Sequence, residues 1–177
     1  MGQQTTLRDA LLATVEQLQQ APADKAQVVF TARTELVERV RAKAAVRQFD
    51  LYVDEPPSLG GTDQGPNPVE LVLAALGTCQ EIVYAAYSAV LGIPLDGVRV
   101  TVRGTLDPRG LFGVAEVPAG FTDIQCDVEL ASPAATEDVA RLTEVVEARC
   151  PVLDILSRPV PVRTTIAFNG TELAPPT

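Results

Sequence analysis

Histidine and tryptophan are absent from the sequence, and cysteine occurs only three times in 177 residues. Without histidine there is no Ser-His or Cys-His nucleophile pair, and nearly all common zinc, copper and iron sites are excluded. The cysteines form no CxxC pair and stand far apart in the chain, so neither a metal cluster nor a thioredoxin-type motif is predicted. We therefore expect no metal and no cofactor, and any chemistry should rest on thiols alone.

Basic residues are also few: 14 Lys and Arg stand against 23 Asp and Glu, giving a net charge of -9. Such an acidic chain offers no clustered cations for phosphates, so neither nucleic acid nor an anionic membrane surface is an expected partner. The absence of a charged and then apolar leader predicts a cytoplasmic location with reduced thiols. With 46% apolar residues, the chain is long and apolar enough to form a globular domain.

The chain is organised around a Gly- and Pro-rich loop that leads into a long apolar helix, GGTDQGPNPVELVLAALGTCQEIVYAAYSAVL, at residues 60–91. Asn67 is a favourable N-cap, and Pro68 suits the first helical position. Glu70 stands where a capping-box carboxylate bonds back to the cap. The predicted helix begins at Pro68 and carries one thiol, Cys79, near its middle.

Two interpretations fit a helix of this length. From Leu71 to Leu91 nearly every residue is apolar or small, as in a membrane span. Gln80 and Glu81, however, stand at the centre of the run, where an acidic residue costs roughly 2.5–3.5 kcal/mol on insertion scales. We therefore predict a core helix that is buried on most of its sides and ends at Gly92.

The remaining patterns predict an α+β fold with antiparallel sheet, because strands arrive in runs rather than alternating with helices. Before the central helix we expect an amphipathic helix at 5–20, three antiparallel strands with one polar face at 27–53, and a breaker-rich loop at 54–66. After it we expect strands at 98–103 and 122–130, helices at 136–149 and 151–157, and a closing strand at 160–168. We assign 1–26 to an N-terminal accessory helix, 27–168 to the main domain and 169–177 to a flexible tail.

The two other cysteines differ in local context. Cys126 alternates with charged residues along a predicted strand, which favours a small buried core residue over a reactive one. Cys150 precedes Pro151, and a residue before proline is pushed out of the α region, so the preceding helix should end there. If Pro151 opens the next helix, Cys150 takes its N-cap, where backbone N–H groups and the helix dipole favour a thiolate.

The segments GGTDQGPNPVELVLAALGTC and ARCPVLDILSRPVPV resemble the two signature segments of the OsmC/Ohr family of peroxide-stress proteins. The resemblance covers about residues 27–168 and leaves the N-terminal helix outside. It implies an OsmC-like fold, with antiparallel sheets wrapped around a long buried central helix. It also implies an intertwined homodimer with two active sites at the subunit interface.

The same resemblance implies thiol-dependent reduction of organic hydroperoxides in oxidative-stress defence. Family members with this activity use a peroxidatic cysteine on the central helix and a resolving cysteine at the Cys-Pro site, which correspond to Cys79 and Cys150. An arginine and a glutamate polarise the peroxidatic thiol, and a lipoyl-type or small dithiol returns the electrons. The peroxidatic cysteine becomes a sulfenic acid, which the second cysteine traps as a disulfide. An apolar surround would select alkyl or fatty hydroperoxides.

The glutamate position of the family departs from the pattern here. It falls on Val69, while Glu70 is one residue late and about 180° round the helix from Cys79. A capping role explains Glu70 without catalysis. Other acids near the two segments that could serve instead are Asp63, Glu147 and Asp154.

The activating arginine is also displaced. The loop at 54–66 contains none, so Arg33 is the first substitute and Arg39 the second, although both also fit ordinary solvated strand residues. Three hypotheses remain open: a hydroperoxide reductase with Cys79, Cys150 and Arg33 as catalytic residues, a non-catalytic OsmC-like module that binds an apolar ligand or senses oxidation, and a chain whose cysteines are purely structural.

Overall fold

The computed structural model describes residues 6–173. Before and including the central helix, its elements are α1 (Leu7–Gln20), β1 (Arg33–Glu38), β2 (Arg41–Val46), β3 (Phe49–Val53) and α2 (Pro68–Leu91). After it come β4 (Gly97–Leu106), α3 (Pro108–Leu111), β5 (Phe121–Ala131), α4 (Thr136–Arg149), α5 (Pro151–Ser157), β6 (Ile166–Phe168) and β7 (Thr171–Leu173). The strands form a three-stranded sheet in the order β1-β2-β3 and the hairpins β4-β5 and β6-β7, all antiparallel. The predicted α+β class is confirmed.

The central helix α2 begins and ends where the sequence predicts. Asn67 Oδ1 accepts a hydrogen bond from the Glu70 N–H at 2.9 Å, and Glu70 Oε2 accepts one from the Asn67 N–H at 2.8 Å. Gly92 ends the helix in the left-handed conformation, with φ of 70°, which a residue without a Cβ adopts at little cost. The capping role predicted for Glu70 is confirmed.

The burial of α2 differs from the prediction. In the single chain its buried residues are Leu76, Gly77, Gln80 and Tyr84, whereas Ile82 is 69% exposed. By length and composition alone α2 could cross a membrane, but in this fold its buried stripe packs on β4, α4 and α5. Burial on most sides is therefore wrong for one chain taken alone.

The core of the chain lies between α2, α4 and the β4-β5 hairpin. Its buried apolar side chains are Tyr84, Ile93, Leu142 and Val146. The helix can approach β4 closely because Gly77 has no side chain: a Cβ there would lie 3.3 Å from Val102 Cγ2. This packing holds α2 against the hairpin and so fixes the position of the thiol halfway along the helix.

The β1-β2-β3 sheet has one polar and one apolar face, as predicted. The cross-strand rows on the apolar face are Leu36, Ala42 and Val53, and then Thr34, Ala44 and Leu51. On the polar face, Lys43 Nζ lies 2.8 Å from Asp50 Oδ2. The apolar face is uncovered in the single chain, where Leu36 is 70% and Leu51 42% exposed. Among the described residues, no helix makes more than marginal contact with this sheet.

Several boundaries differ from the sequence-based prediction. The first three strands occupy 33–53, and residues 27–32 belong to no strand. The closing strand expected at 160–168 is only Ile166–Phe168, paired with Thr171–Leu173. Pro161 cannot donate a ladder hydrogen bond, which disfavours a strand at its position. β7 therefore lies inside the segment assigned to a flexible tail. The ends of the chain, 1–5 and 174–177, lie outside the described residues.

Candidate active site

Two cysteines that are distant in sequence meet where α2 faces the junction of α4 and α5. Cys150 is the single residue between those two helices, with an extended backbone at φ −74° and ψ 111°, because Pro151 prevents α4 from continuing. The predicted break is confirmed. The Sγ atoms of Cys79 and Cys150 lie 3.4 Å apart, so a small approach brings them to the disulfide bond length of about 2.05 Å.

The two thiols differ in accessibility. Cys150 is only 1% exposed, because it is enclosed at the meeting point of α2, α4 and α5. Cys79 is half-buried, so a small molecule in solution can reach its sulfur first. The pair therefore consists of one accessible and one shielded sulfur in near contact.

Burial raises the pKa of the Cys79 thiol above its ordinary value. A backbone hydrogen bond from Val152, in the first turn of α5, opposes this rise, and the neighbouring Cys150 adds to it. The start of α5 therefore acts on Cys79, whereas Cys150 makes no side-chain capping hydrogen bond. Cys150 is the N-cap of α5, as predicted, and its Sγ is directed to Cys79. Within residues 6–173, no arginine or lysine stabilises the Cys79 thiolate.

Cys126 lies beside the same pair. It faces inward from β5 opposite Val102, as predicted, and its Sγ donates to Gln80 Oε1 at 3.5 Å. Gln80 follows Cys79 on α2 and is 5% exposed. Cys126 is only half-buried, since it lines an open and mainly apolar groove of about 310 Å³. The groove is formed by Leu76, Phe121, Thr122, Asp123, Ile124, Cys126, Leu153, Leu156 and Ser157.

A buried carboxylate organises the loop that precedes α2, and sequence reasoning missed it. Asp54 is 2% exposed, and its Oδ2 accepts from Thr62 Oγ1 at 2.6 Å and from the Thr62 and Gln64 N–H groups. The Thr62 hydroxyl, together with three backbone hydrogen bonds, lowers the pKa of Asp54 to about 2. The chain can fold this tightly because Gly61 has no side chain, and a Cβ there would meet the Glu55 backbone. The sequence gives one signal for Asp54: it stands between an apolar strand and a Gly- and Pro-rich loop. Aspartates on the protein surface often occupy the same kind of position, so this signal does not identify a buried one.

None of the remaining predicted site residues in the described part of the chain makes a hydrogen bond to Cys79. Arg33 and Arg39 belong to the first hairpin of the β1-β2-β3 sheet, Arg39 with φ of 49° at its turn. That sheet does not pack on α5, so the activating role of either arginine stays a prediction. Asp154 is paired with Arg158, whose Nε lies 2.8 Å from Asp154 Oδ2. Glu147 is exposed, and no group of metal-ligating side chains occurs within the described part of the chain.

Comparison with protein families adds to this geometry. The family model described as OsmC-like protein matches residues 61–165, which is more than half of the chain and includes Cys79, Cys126 and Cys150. The chain belongs to the OsmC family. The family resemblance of the two signature segments is thereby confirmed. Among curated proteins, no sequence matches this OsmC chain significantly.

Solved structures share the OsmC fold over most of the chain. An OsmC-like protein from Mycoplasma pneumoniae superposes with a TM-score of 0.64 at 20% identity, covering 74% of this chain and 89% of that chain. An organic hydroperoxide resistance protein OsmC from Legionella pneumophila gives a TM-score of 0.56 at 19% identity, with 74% and 90% covered. An organic hydroperoxide resistance protein from Elizabethkingia anophelis with bound thiocyanate gives 0.54 at 18% identity, with 76% and 91% covered. At these identities the likeness concerns the fold alone.

Proposed function

We propose that this protein reduces organic hydroperoxides with Cys79 as the peroxidatic and Cys150 as the resolving cysteine. The observation that carries the proposal is the 3.4 Å distance between the two Sγ atoms, one half-buried and one fully shielded. Membership of the OsmC family supports it, as do solved relatives described as organic hydroperoxide resistance proteins. The reaction serves oxidative-stress defence in a reducing cytoplasm.

The proposed cycle follows from the order in which the two sulfurs can be reached. The Cys79 thiolate attacks the distal oxygen of the hydroperoxide, the O–O bond breaks, and the alkoxide takes a proton to leave as an alcohol. The resulting Cys79 sulfenic acid is attacked by Cys150, which forms the disulfide and releases water. A dithiol then reduces that disulfide by two successive thiol–disulfide exchanges. Because Cys150 is already in contact with Cys79, trapping competes well with over-oxidation.

The groove beside the cysteine pair supports an organic rather than an inorganic peroxide. Its walls carry Leu76, Ile124, Leu153 and Leu156, and such apolar side chains favour an alkyl chain over hydrogen peroxide. Dihydrolipoyl groups, which carry their thiols on an apolar chain, fit the same surface as reductants.

The exposed surface of the chain supports a homodimer. The chain exposes 13555 Å², whereas a compact monomer of 18.8 kDa is expected to expose about 8,300 Å². The exposed side chains include large apolar ones on the uncovered face of the β1-β2-β3 sheet and on α2, among them Leu36 at 70% and Ile82 at 69%. Stable homodimers bury apolar surface of this kind, so a second copy would complete the core around the central helix.

Because the pKa of Cys79 is raised in the single chain, a second copy could serve catalysis by supplying a cation that lowers it. A mainly protonated thiol is a poor nucleophile, and a nearby cation lowers its pKa. We infer that Arg33, brought by the β1-β2-β3 sheet of a second copy, supplies this cation, with Arg39 as the alternative donor. In this arrangement Val69 leaves the cation without the glutamate that usually accompanies it in the family.

The test is hydroperoxide consumption by the purified protein. Cumene hydroperoxide and a lipid hydroperoxide are supplied with either dithiothreitol or dihydrolipoamide as the reductant. We expect turnover for the wild type, a rate equal to the protein-free rate for Cys79→Ser, and loss of activity within a few turnovers for Cys150→Ser, because its sulfenic acid goes untrapped. Glu70→Gln is the matched control: it keeps the cap and should keep the wild-type rate.

A wild-type protein that consumes neither hydroperoxide with either dithiol would refute the reductase. The second function, a module that binds an apolar ligand or senses oxidation, is favoured by the raised pKa of Cys79 and by Val69. It would then be examined by titration with a fluorescent fatty acid. Saturable binding that Cys79→Ser leaves unchanged would support that function.

A further inference from the structure

The apolar groove shares its walls with the two helices that hold the cysteine pair. On α2, Leu76 lines the groove and stands one turn before Cys79, on the same side of the helix. On α5, Leu153 lines it and follows three residues after Cys150, the N-cap of that helix. A molecule in the groove therefore lies against the helical turns next to both cysteines.

The groove has an inner and an outer end along β5. Its β5 wall extends from Phe121 to Cys126, which spans about 17 Å at the rise of a strand. Cys126 marks the inner end, because its Sγ donates to Gln80 Oε1 at 3.5 Å and Gln80 is the neighbour of Cys79 on α2. Asp123 stands toward the other end, at the start of β5.

The charge in the groove has one sign. Of the nine described residues that line it, Asp123 is the only charged one. Arg158 directly follows the lining residue Ser157, but its Nε lies 2.8 Å from Asp154 Oδ2, so this cation is already paired. The chain as a whole carries a net charge of -9. A negatively charged group at the outer end of the groove would therefore meet a carboxylate without a compensating cation on the groove wall.

We propose that the groove binds apolar chains whose outer end is uncharged, and that Asp123 disfavours chains that carry an anionic group there. This deepens the proposed function, because it names the hydroperoxides and dithiols that the cysteine pair accepts. Hydrocarbon and esterified lipid hydroperoxides are preferred over those with a free carboxylate. A dithiol with its sulfurs at the cysteine pair directs its other end toward Asp123, so dihydrolipoamide is preferred over dihydrolipoate.

Two fluorescent probes with the same ring system test the selectivity without any peroxide. N-phenyl-1-naphthylamine is uncharged, and 1-anilinonaphthalene-8-sulfonate adds one negative charge. Each is titrated into the reduced full-length protein. Because Asp123 is exposed and solvent screens its charge, Asp123→Asn should strengthen binding of the anionic probe by about two- to tenfold and leave the Kd of the neutral probe unchanged. Glu144→Gln removes the same charge from the exposed side of α4, outside the groove, and should leave both Kd values unchanged.

The proposal is overturned if Asp123→Asn leaves the Kd of the anionic probe unchanged or strengthens both probes equally. Failure of both probes to bind saturably would also overturn it, and a groove filled by a second copy would give that result. Leu156→Ala, on the groove wall, should weaken both probes, and unchanged affinities would show that they bind elsewhere and not in the groove, against the proposal.

A second readout fixes the orientation of the ligand. Diamide-oxidised protein is reduced with either dihydrolipoamide or dihydrolipoate, which carry the same dithiol and differ in the charge at the other end. The amide should react faster with the wild type, and Asp123→Asn should narrow the ratio of the two rates; equal rates in the wild type would contradict the selectivity. If the probes behave as expected but hydroperoxides are not consumed, the groove selectivity stands and the reductase function fails. If hydroperoxides are consumed but neither readout depends on Asp123, the reductase function stands and the groove selectivity fails.

Discussion

The two halves of the chain are built to different degrees within one subunit. In the C-terminal half, α2, α4 and the β4-β5 hairpin bury a common core in which Leu142 and Val146 are fully shielded from solvent. In the N-terminal half, the β1-β2-β3 sheet is regular and well paired but leaves its apolar face open, with Leu36 70% exposed. The C-terminal half has a complete core within one subunit, whereas the N-terminal half is a well-paired sheet without a core.

This contrast connects the fold to the site. The complete half holds Cys79 and Cys150 in contact, so the disulfide chemistry needs only residues of one chain. The incomplete half carries Arg33 and Arg39, the arginines that we propose as the activating cation of Cys79. In the proposed mechanism, resolution of the sulfenic acid and activation of the thiol therefore belong to different halves, and only activation should depend on a second copy.

The largest expected effect lies in the complete core. Leu142→Ala removes a side chain that is 0% exposed, and large-to-small changes at such sites cost about 2–5 kcal/mol of the free energy of unfolding. Urea denaturation at fixed protein concentration measures it. Leu111→Ala, at a side chain that is 61% exposed, is the control and should stay within about 0.5 kcal/mol. Equal losses for the two variants would contradict the division into a packed and an open region.

A substitution on the apolar face of the β1-β2-β3 sheet should change the association of subunits rather than the stability of the subunit core. Leu51→Asp places a charge on the apolar face, and we expect it to weaken the proposed dimer by about tenfold to a hundredfold in Kd, since each tenfold corresponds to about 1.4 kcal/mol. Analytical ultracentrifugation across a dilution series measures the change. Peroxidase activity per subunit should fall with dilution in parallel.

The opposite face of the same sheet provides the control. Glu35 lies in the polar row with Lys43 and Tyr52, so Glu35→Gln should leave Kd at the wild-type value. If Leu51→Asp also leaves the dimer intact, the apolar face is not the dimer interface, and Arg33 loses its proposed route to Cys79.

The loop between the two halves should show its own pH dependence. The pKa of Asp54 is about 2 in the folded protein, below the value of about 3.9 expected for an unfolded aspartate. The stabilisation from the ionised carboxylate is therefore complete above about pH 4 and is lost as the pH falls toward 2. Asp54→Asn should lower Tm by a few degrees at neutral pH, and the difference from the wild type should shrink between pH 4 and pH 2.

Differential scanning calorimetry at several pH values measures this convergence, and Asp63→Asn is the matched loop control. Asp63 occupies φ of 56°, a conformation that asparagine also tolerates, so its Tm difference should be small and independent of pH. A Tm difference for Asp54→Asn that stays constant down to pH 2 would show that its ionised form is not what stabilises the loop.

Local signals in the sequence were sufficient for much of the fold. Asn67, Pro68, Glu70 and Gly92 act on their immediate neighbours, so the ends of α2 could be predicted to the residue. The break at Cys150 followed equally from the adjacent proline. The amount of α2 surface that is buried could not be predicted, because it depends on which elements of one or two chains cover the helix.

The candidate site likewise has residues that local sequence could identify and residues that it could not. The two signature segments identified Cys79 and Cys150 before their contact was known, since both segments have a distinctive local pattern. Asp54 and the neighbourhood of Cys126 were missed, because a buried aspartate and a core-facing cysteine owe their roles to partners that the fold brings from elsewhere. Sequence spacing contains no signal for such contacts.

The smallest expected effect comes from removing a helix N-cap, and it should differ between the capping boxes of α1 and α2. The Asp9 N–H donates to Thr6 Oγ1 at 3.2 Å at the start of α1, as the Glu70 N–H does to Asn67 Oδ1 at the start of α2. Removing such a cap costs about 0.5–2 kcal/mol. In α2, a helix built into the core, Asn67→Ala should lower the global free energy of unfolding by that amount.

In α1 the same loss should remain local. This helix contains no buried residue and contacts the rest of the chain along α2, so it can open without the core. Thr6→Ala should therefore speed amide hydrogen exchange in the first turn of α1 and leave the global free energy unchanged. A global loss equal to that of Asn67→Ala would mean that α1 unfolds together with the core. The N-terminal helix would then be part of the same cooperative unit that positions Cys79, and not an accessory to it.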